Sequence, residues 1–163
     1  MSLKQISSLP VMVVFLLGSS LLSAETEQVP LSERAVLGEG KFAVCKACHD
    51  DTLNPPQAPP MFGVQRRYKQ QFESQQEFVD AIVKFVTLPT ESKALMKGPV
   101  KKLGLMPGLP LGDDMLSEIA TYIYEENFEP PCEHWAQAMS SEKGKGKGKH
   151  RQHVQSMYEE FCQ

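Results

Sequence analysis

Four cysteines fall into two groups with different chemistry. Cys45 and Cys48 lie close together in Cys45-Lys46-Ala47-Cys48-His49, whereas Cys132 and Cys162 lie near the end of the chain. The close pair is the tightest constraint on the fold, because it forces two thiols and an imidazole onto one short local element. A structural zinc site needs four ligands, and the second cysteine pair is remote and not itself a close C-x-x-C. A thioredoxin-like dithiol needs a βαβ setting, and a plain local disulfide leaves His49 without a role.

The spacing C-x-x-C-H is instead the attachment signature of a covalent c-type haem. Two thiols three positions apart at a helix end can add to the two vinyl groups of one porphyrin, and the next side chain then falls under the iron. Cys45 and Cys48 are therefore the expected anchors of a single haem c, with His49 as proximal ligand to its iron. The second ring nitrogen of His49 then has to donate a hydrogen bond that fixes the imidazole.

Hydrophobic spacing predicts helices around this motif. Ser32 is a candidate cap for a helix from Glu33 to about Ala43, with Glu33 at its positive end. Gly38 and Gly40 sit oddly inside it, which implies either an interrupted helix or a close crossing by another one. Pro55, Pro56, Pro59 and Pro60 make residues 50–60 a loop. Ser74 and Glu77 form a capping box, and Phe78, Val79, Ile82, Val83 and Val86 follow on one helical face that ends before Pro89. A shorter helix is predicted from Thr90 to Lys97, stopped by Gly98-Pro99. Leu103 to Gly112 reads as a loop holding Met106. Asp113 to about Asn127 is a helix with the apolar stripe Leu116, Ile119, Ala120 and Ile123. No stretch alternates with period two, so an all-α core is expected.

The first 24 residues have the layout of a secretory signal peptide: an apolar run from about Leu9 to Leu22, Lys4 ahead of it, and Ser23-Ala24 before the first acidic residue. The run is shorter than the ~20 residues of a spanning helix, so the processed chain is expected to be periplasmic without stable membrane insertion. Losing Lys4 moves the net charge from −3 to −4, which argues against nucleic-acid binding. The expected organisation is residues 1–24 as leader, 25–129 as the haem domain and 130–163 as an extension. In the extension, Lys143 to Lys149 alternates lysine with glycine and should be flexible, and Val154 to Phe161 is expected to add a helical turn or two.

From Ser32 to Phe128 the order of these features resembles class I cytochrome c. That family has an N-terminal helix leading into C-x-x-C-H, a proline-rich loop, a methionine loop and a C-terminal helix. Pro59, Met61 and Gly63 match its Pro-x-Leu-x-Gly segment, with methionine in place of leucine. The resemblance implies that the Pro59 carbonyl accepts from His49, that Met61 packs on the haem, and that Met106 of Leu105-Met106-Pro107-Gly108 is the sixth ligand. Solvent, Met61, Met96 or a histidine are the alternatives at that position. The family's last helix packs an aromatic, here Tyr122, near a glycine of the first helix, either Gly38 or Gly40.

The reading implied is a monomeric one-electron carrier with His/Met ligation and no bond-making catalysis. Its rivals are a haem subunit of a larger oxidoreductase and a haem sensor lacking the Met106 ligand. Lys93, Lys97, Lys101 and Lys102 would rim the haem edge and steer redox partner proteins that are acidic at their docking surface. His134, His150 and His153 are expected to be exposed. Cys132 and Cys162 are expected to form a disulfide within the chain, with an intermolecular bond or free thiols as alternatives.

Overall fold

The computed structural model describes residues 30–140 and 148–163. The expected leader and most of the Lys/Gly segment lie outside the described residues. Eight helices and no strand occur among the described residues, which fits the all-α expectation. None of these helices is long and apolar enough to cross a membrane.

The first helix, α1 (Glu33–Lys41), begins where Ser32 caps it by accepting from the Ala35 N–H at 3.2 Å. A single right-handed residue, Phe42, joins it to α2 (Ala43–His49), with the Phe42 N–H donating to Glu39 O at 3.1 Å and the Cys45 N–H to Phe42 O at 2.9 Å. Its buried partner is α6 (Asp113–Glu125), whose Leu116, Ile119, Ala120 and Ile123 are all at most 3% exposed. Gly38 decides how closely these helices approach. A Cβ there would overlap the Glu118 carbonyl and come within 3.0 Å of the Ile119 nitrogen. At Gly40 a Cβ would meet no atom of the described residues within 4 Å. Lys41 pairs with Glu118 beside the crossing, and Phe42 packs on Tyr122 with ring centroids 5.1 Å apart.

The remaining core comes from α4 (Gln75–Thr87) and α3 (Met61–Gln71). The expected capping box of α4 is present at Ser74 and Glu77, and Phe78, Val79 and Ile82 are buried. Glu125 draws three helix ends together. Its carboxylate accepts from the Ser32 N–H at 2.7 Å, the Ser32 hydroxyl at 2.8 Å and the Gln75 amide at 3.0 Å.

Two helices stand where none was expected, α3 and α7 (Cys132–Ser140), and α8 (Gly148–Phe161) is longer than the predicted turn or two. The predicted helix from Thr90 to Lys97 is corrected. That segment makes one turn, with the Lys93 and Ala94 N–H groups donating to Thr90 O, and the helix, α5, spans Lys97–Leu103. Gly98-Pro99 therefore opens a helix instead of ending one. The physical reason is that first-turn N–H groups have no intrahelical acceptor, so a proline there forfeits nothing.

A disulfide joins Cys132 to Cys162 and closes α7 and α8 into a hairpin. The hairpin lies on the outer face of α3. Phe62 meets Trp135 and Phe161 edge-on at 5.8 and 5.1 Å, and Arg66 sits over the Phe161 ring while pairing with Glu160.

Gly38→Ala should lower stability by about 2 kcal/mol or more, since the overlap is with backbone. Gly40→Ala should raise it by roughly 0.5 kcal/mol through helix propensity. Urea denaturation of the two variants checks both signs.

Burial raises the Glu125 pKa, but the bonds from Ser32 and Gln75 outweigh it and hold the carboxyl below its ordinary value. A depressed folded-state pKa gives stability that is present above the unfolded pKa and lost as pH falls through the folded one. Glu125→Gln should therefore flatten the acid limb of a stability–pH profile while leaving its slope near neutrality unchanged.

Candidate functional site

The α1–α6 crossing sets α2 along one wall of a cavity of about 280 Å³. Its walls come from α2, the proline loop, α3, α4, α5, the methionine loop and α6. Cys45, Cys48, His49, Pro59, Met61 and Met106, all singled out from the sequence, line this single space. Most of the remaining surface is aliphatic or aromatic, with Gln57 and Tyr68 as added polar side chains.

His49 ends α2, and its Nδ1 lies 2.7 Å from the Pro59 carbonyl oxygen. A carbonyl can only accept, so Nδ1 carries the proton and Nε2 keeps its lone pair. Burial pushes the His49 pKa down, against a smaller upward pull from the Pro59 carbonyl. The imidazole is thus held neutral, which is the state in which it can donate an electron pair. Pro59 is fixed in turn because Pro60 caps α3, with the Gly63 and Val64 N–H groups donating to its carbonyl at 3.0 and 3.2 Å.

Cys45 and Cys48 are both free thiols. Cys45 is half-buried and its thiol pKa is raised by burial, whereas Cys48 is exposed. Tyr68, on α3, is buried in the cavity wall, and burial pushes its hydroxyl up to about 12, so it stays protonated.

Met106 sits in a segment bounded by two glycines in the left-handed region, Gly104 at φ 91° and Gly112 at φ 79°. The segment is docked on the end of α4. Leu109 N–H donates to Val86 O at 3.0 Å, and a Cβ on Gly108 would stand 3.1 Å from Thr87 O. Met96 also lines the cavity, so three thioethers share it with His49.

The expected rim of four lysines is realised only in part. The Lys93 ammonium donates to Leu88 O at 3.0 Å, and Lys97 donates to the carbonyls of Glu91 and Ser92, so these two tie down the turn before α5. Lys101 and Lys102 are exposed on α5, beside the cavity-lining Val100 and Leu103. His134 and His153 are exposed, and the His150 side chain lies outside the described residues.

The expectation of metal binding is corrected where it concerns the chain's own ligating groups. Among the described residues no group of three or more His, Cys, Asp or Glu side chains could hold a metal ion. Two of the four cysteines are consumed by the Cys132–Cys162 bond, and the other two share the cavity with one imidazole and no carboxylate. What the cavity offers is an apolar slot with two thiols, one neutral imidazole and thioethers. That donor set fits a flat apolar macrocycle attached through sulfur and ligated from its faces.

The chain purified without any bound group should show two reactive thiols. Cys48 should react with a maleimide about tenfold faster than Cys45, because Cys48 is exposed and burial raises the Cys45 thiol pKa. Mass spectrometry of digests taken at early times would read this ratio, and labelling of Cys132 or Cys162 without a reductant would contradict the assigned disulfide.

Searches of protein-family models, of curated proteins and of solved structures each find no match to this chain.

Proposed function

We propose that the chain is an exported one-electron carrier of the class I cytochrome c kind, holding one covalent haem c. The observation that carries this reading is the convergence of Cys45, Cys48, His49 and Met106 on one apolar cavity, with the His49 ring oriented by Pro59. The order of motifs from Ser32 to Phe128 adds the family resemblance.

When bound, the haem supplies a reversible one-electron couple at its iron. The chain's residues do the rest. Cys45 and Cys48 would hold the porphyrin edge through their sulfurs. His49 would offer Nε2 to the iron, and its bond to Pro59 keeps the ring from rotating and raises its basicity. Met106 would supply the thioether donor, from a loop fixed at Gly108 and Leu109. Thioether ligation favours the reduced state and closes the site to dioxygen. The aliphatic walls from α4 and α6 exclude water, which raises the cost of net charge at the centre.

The protein acts in the periplasm, and the Cys132–Cys162 disulfide supports an oxidising compartment. Lys101 and Lys102 give the cavity side of α5 a positive border for an acidic redox partner.

Co-expression with haem-attachment machinery tests the reading. The purified chain should be red, retain its pigment in acidified acetone and show no free thiols at Cys45 or Cys48. Met106→Ala should remove the far-red thioether-to-iron band of the oxidised form and let the reduced form bind carbon monoxide. A colourless product, or pigment that extracts into solvent, would refute it.

A further inference from the structure

The hydrophobic core closes without the extension. Its buried cluster is drawn from Phe42 and from α1, α3, α4 and α6, with partly buried neighbours from Leu31 to Phe128, and no residue beyond Phe128 belongs to it. Val154 of α8 is buried as well, yet it stands outside that cluster. The α7–α8 hairpin is therefore an added layer with a small interior of its own, held against a domain whose core is already complete.

Its hold on that domain is narrow. The hydrogen bond, ion pair and ring contacts described between hairpin and domain all fall on Phe62 and Arg66 of α3. Phe62 meets Trp135 of α7 at 5.8 Å and Phe161 of α8 at 5.1 Å, and those two rings lie 6.5 Å from each other. The three-ring contact thus needs both helices held together. Cys132 precedes Trp135 by one helical turn and Cys162 follows Phe161 directly, so the disulfide ties the chain beside both rings. The Arg66–Glu160 pair is open to solvent, with side chains 35% and 51% exposed, and a pair so exposed adds little.

We propose that the Cys132–Cys162 bond is a redox-operated clasp: a dithiol reductant opens it, and α7 and α8 then leave α3 while the core stays folded. One thiolate of the dithiol attacks a sulfur of the bond, and its second thiol resolves the mixed disulfide. The dithiol departs as a disulfide, oxidised by two electrons. Its two protons end on the sulfurs of Cys132 and Cys162, so the chain loses one S–S bond and gains two thiols. Both cysteines are half-buried at the edge of the hairpin and outside the core, which leaves the bond within reach of such a reagent.

The other two cysteines supply a reason for the reductant to be present. Cys45 and Cys48 are thiols in the same chain, so a dithiol that keeps that pair reduced meets the Cys132–Cys162 bond as well. Opening it restores the freedom of a loop with a sequence separation of 30, roughly a 400-fold shift away from the docked hairpin in the chain-entropy view. What is uncovered is an aromatic ring beside a cation, Phe62 and Arg66, on the outer side of the helix whose Met61, Val64 and Tyr68 line the cavity. The clasp works whatever occupies that cavity.

Trp135 is the only tryptophan of the chain, so its emission reads the clasp directly. Dithiothreitol added to the full chain should move the emission maximum to longer wavelength, and re-oxidation should return it. Hydrogen exchange followed by mass spectrometry should speed up in α7 and α8 by a factor on the order of 100, while α1, α4 and α6 keep their rates. Cys132→Ser combined with Cys162→Ser should reproduce the reduced chain's emission and exchange with no reductant present. Phe62→Ala with the bond intact should shift the Trp135 emission and leave α7 and α8 protected, which separates docking on α3 from pairing of the two helices. Emission and exchange that stay unchanged once alkylation shows Cys132 and Cys162 fully reduced would overturn the clasp. So would a matching loss of protection in α1, α4 and α6, because the bond would then support the whole fold.

Discussion

The absence of one side chain, at Gly38, sets the spacing on which the rest of the molecule depends. It lets α1 lie directly on the backbone of α6, where the Glu118 carbonyl occupies the space a Cβ would need. Because only Phe42, itself packed on Tyr122, separates α1 from α2, that crossing anchors the helix that carries the two thiols and His49. His49 lines the same cavity as Ile119 and Ile123 of α6. The Phe42, Tyr122 and Phe128 rings, at centroid distances of 5.1, 5.6 and 5.9 Å, wedge the same junction from its far side.

The cavity chemistry rests on a second, smaller device. A buried imidazole has two ways to respond to its surroundings, by losing its proton or by finding a counter-charge, and no carboxylate lines this space. Burial thus selects the neutral ring, and the Pro59 carbonyl selects which nitrogen keeps the hydrogen. The proline loop is the structural origin of that carbonyl. Its prolines cannot join a helix interior, so the chain passes the imidazole in an extended form before Pro60 starts α3.

Much of this was legible in the sequence where the signal was local. The Ser32 cap, the Ser74–Glu77 box and the Leu116–Ile123 stripe depend on neighbours three or four residues away, and each stands where spacing puts it. Helix α3 was not legible, because its buried face includes a glutamine. Gln65 is buried only because its amide donates to the Ile123 and Glu126 carbonyls at 2.7 and 2.6 Å, closing the end of α6. That partnership spans the whole domain and leaves no local mark. Helix α5 was misplaced for a related reason: Gly98-Pro99 has the same local appearance at the start of a helix as past its end. Which of the two applies was settled by Lys97 and Lys93 tying down the turn before it. That Cys45, Cys48 and His49 share one cavity was legible because their spacing puts them on one short helix, whereas Tyr68 was hidden along with its helix.

The extension behaves as a part of the domain, and the reason lies on α3. That helix shows Met61, Val64 and Tyr68 to the cavity and Phe62 and Arg66 to the tail. Phe161 could not reach Phe62 and Arg66 from a free end without losing the conformational entropy of the tail residues before it. The Cys132–Cys162 bond removes part of that entropy from the competing states, by roughly 3.6 kcal/mol in the chain-entropy view. The aromatic contacts of Trp135 and Phe161 then need to supply only a local preference. Since α3 forms the wall between tail and cavity, Phe62 under the hairpin rings and Met61 on the cavity are neighbours in its first turn, just beyond the carbonyl that accepts from His49.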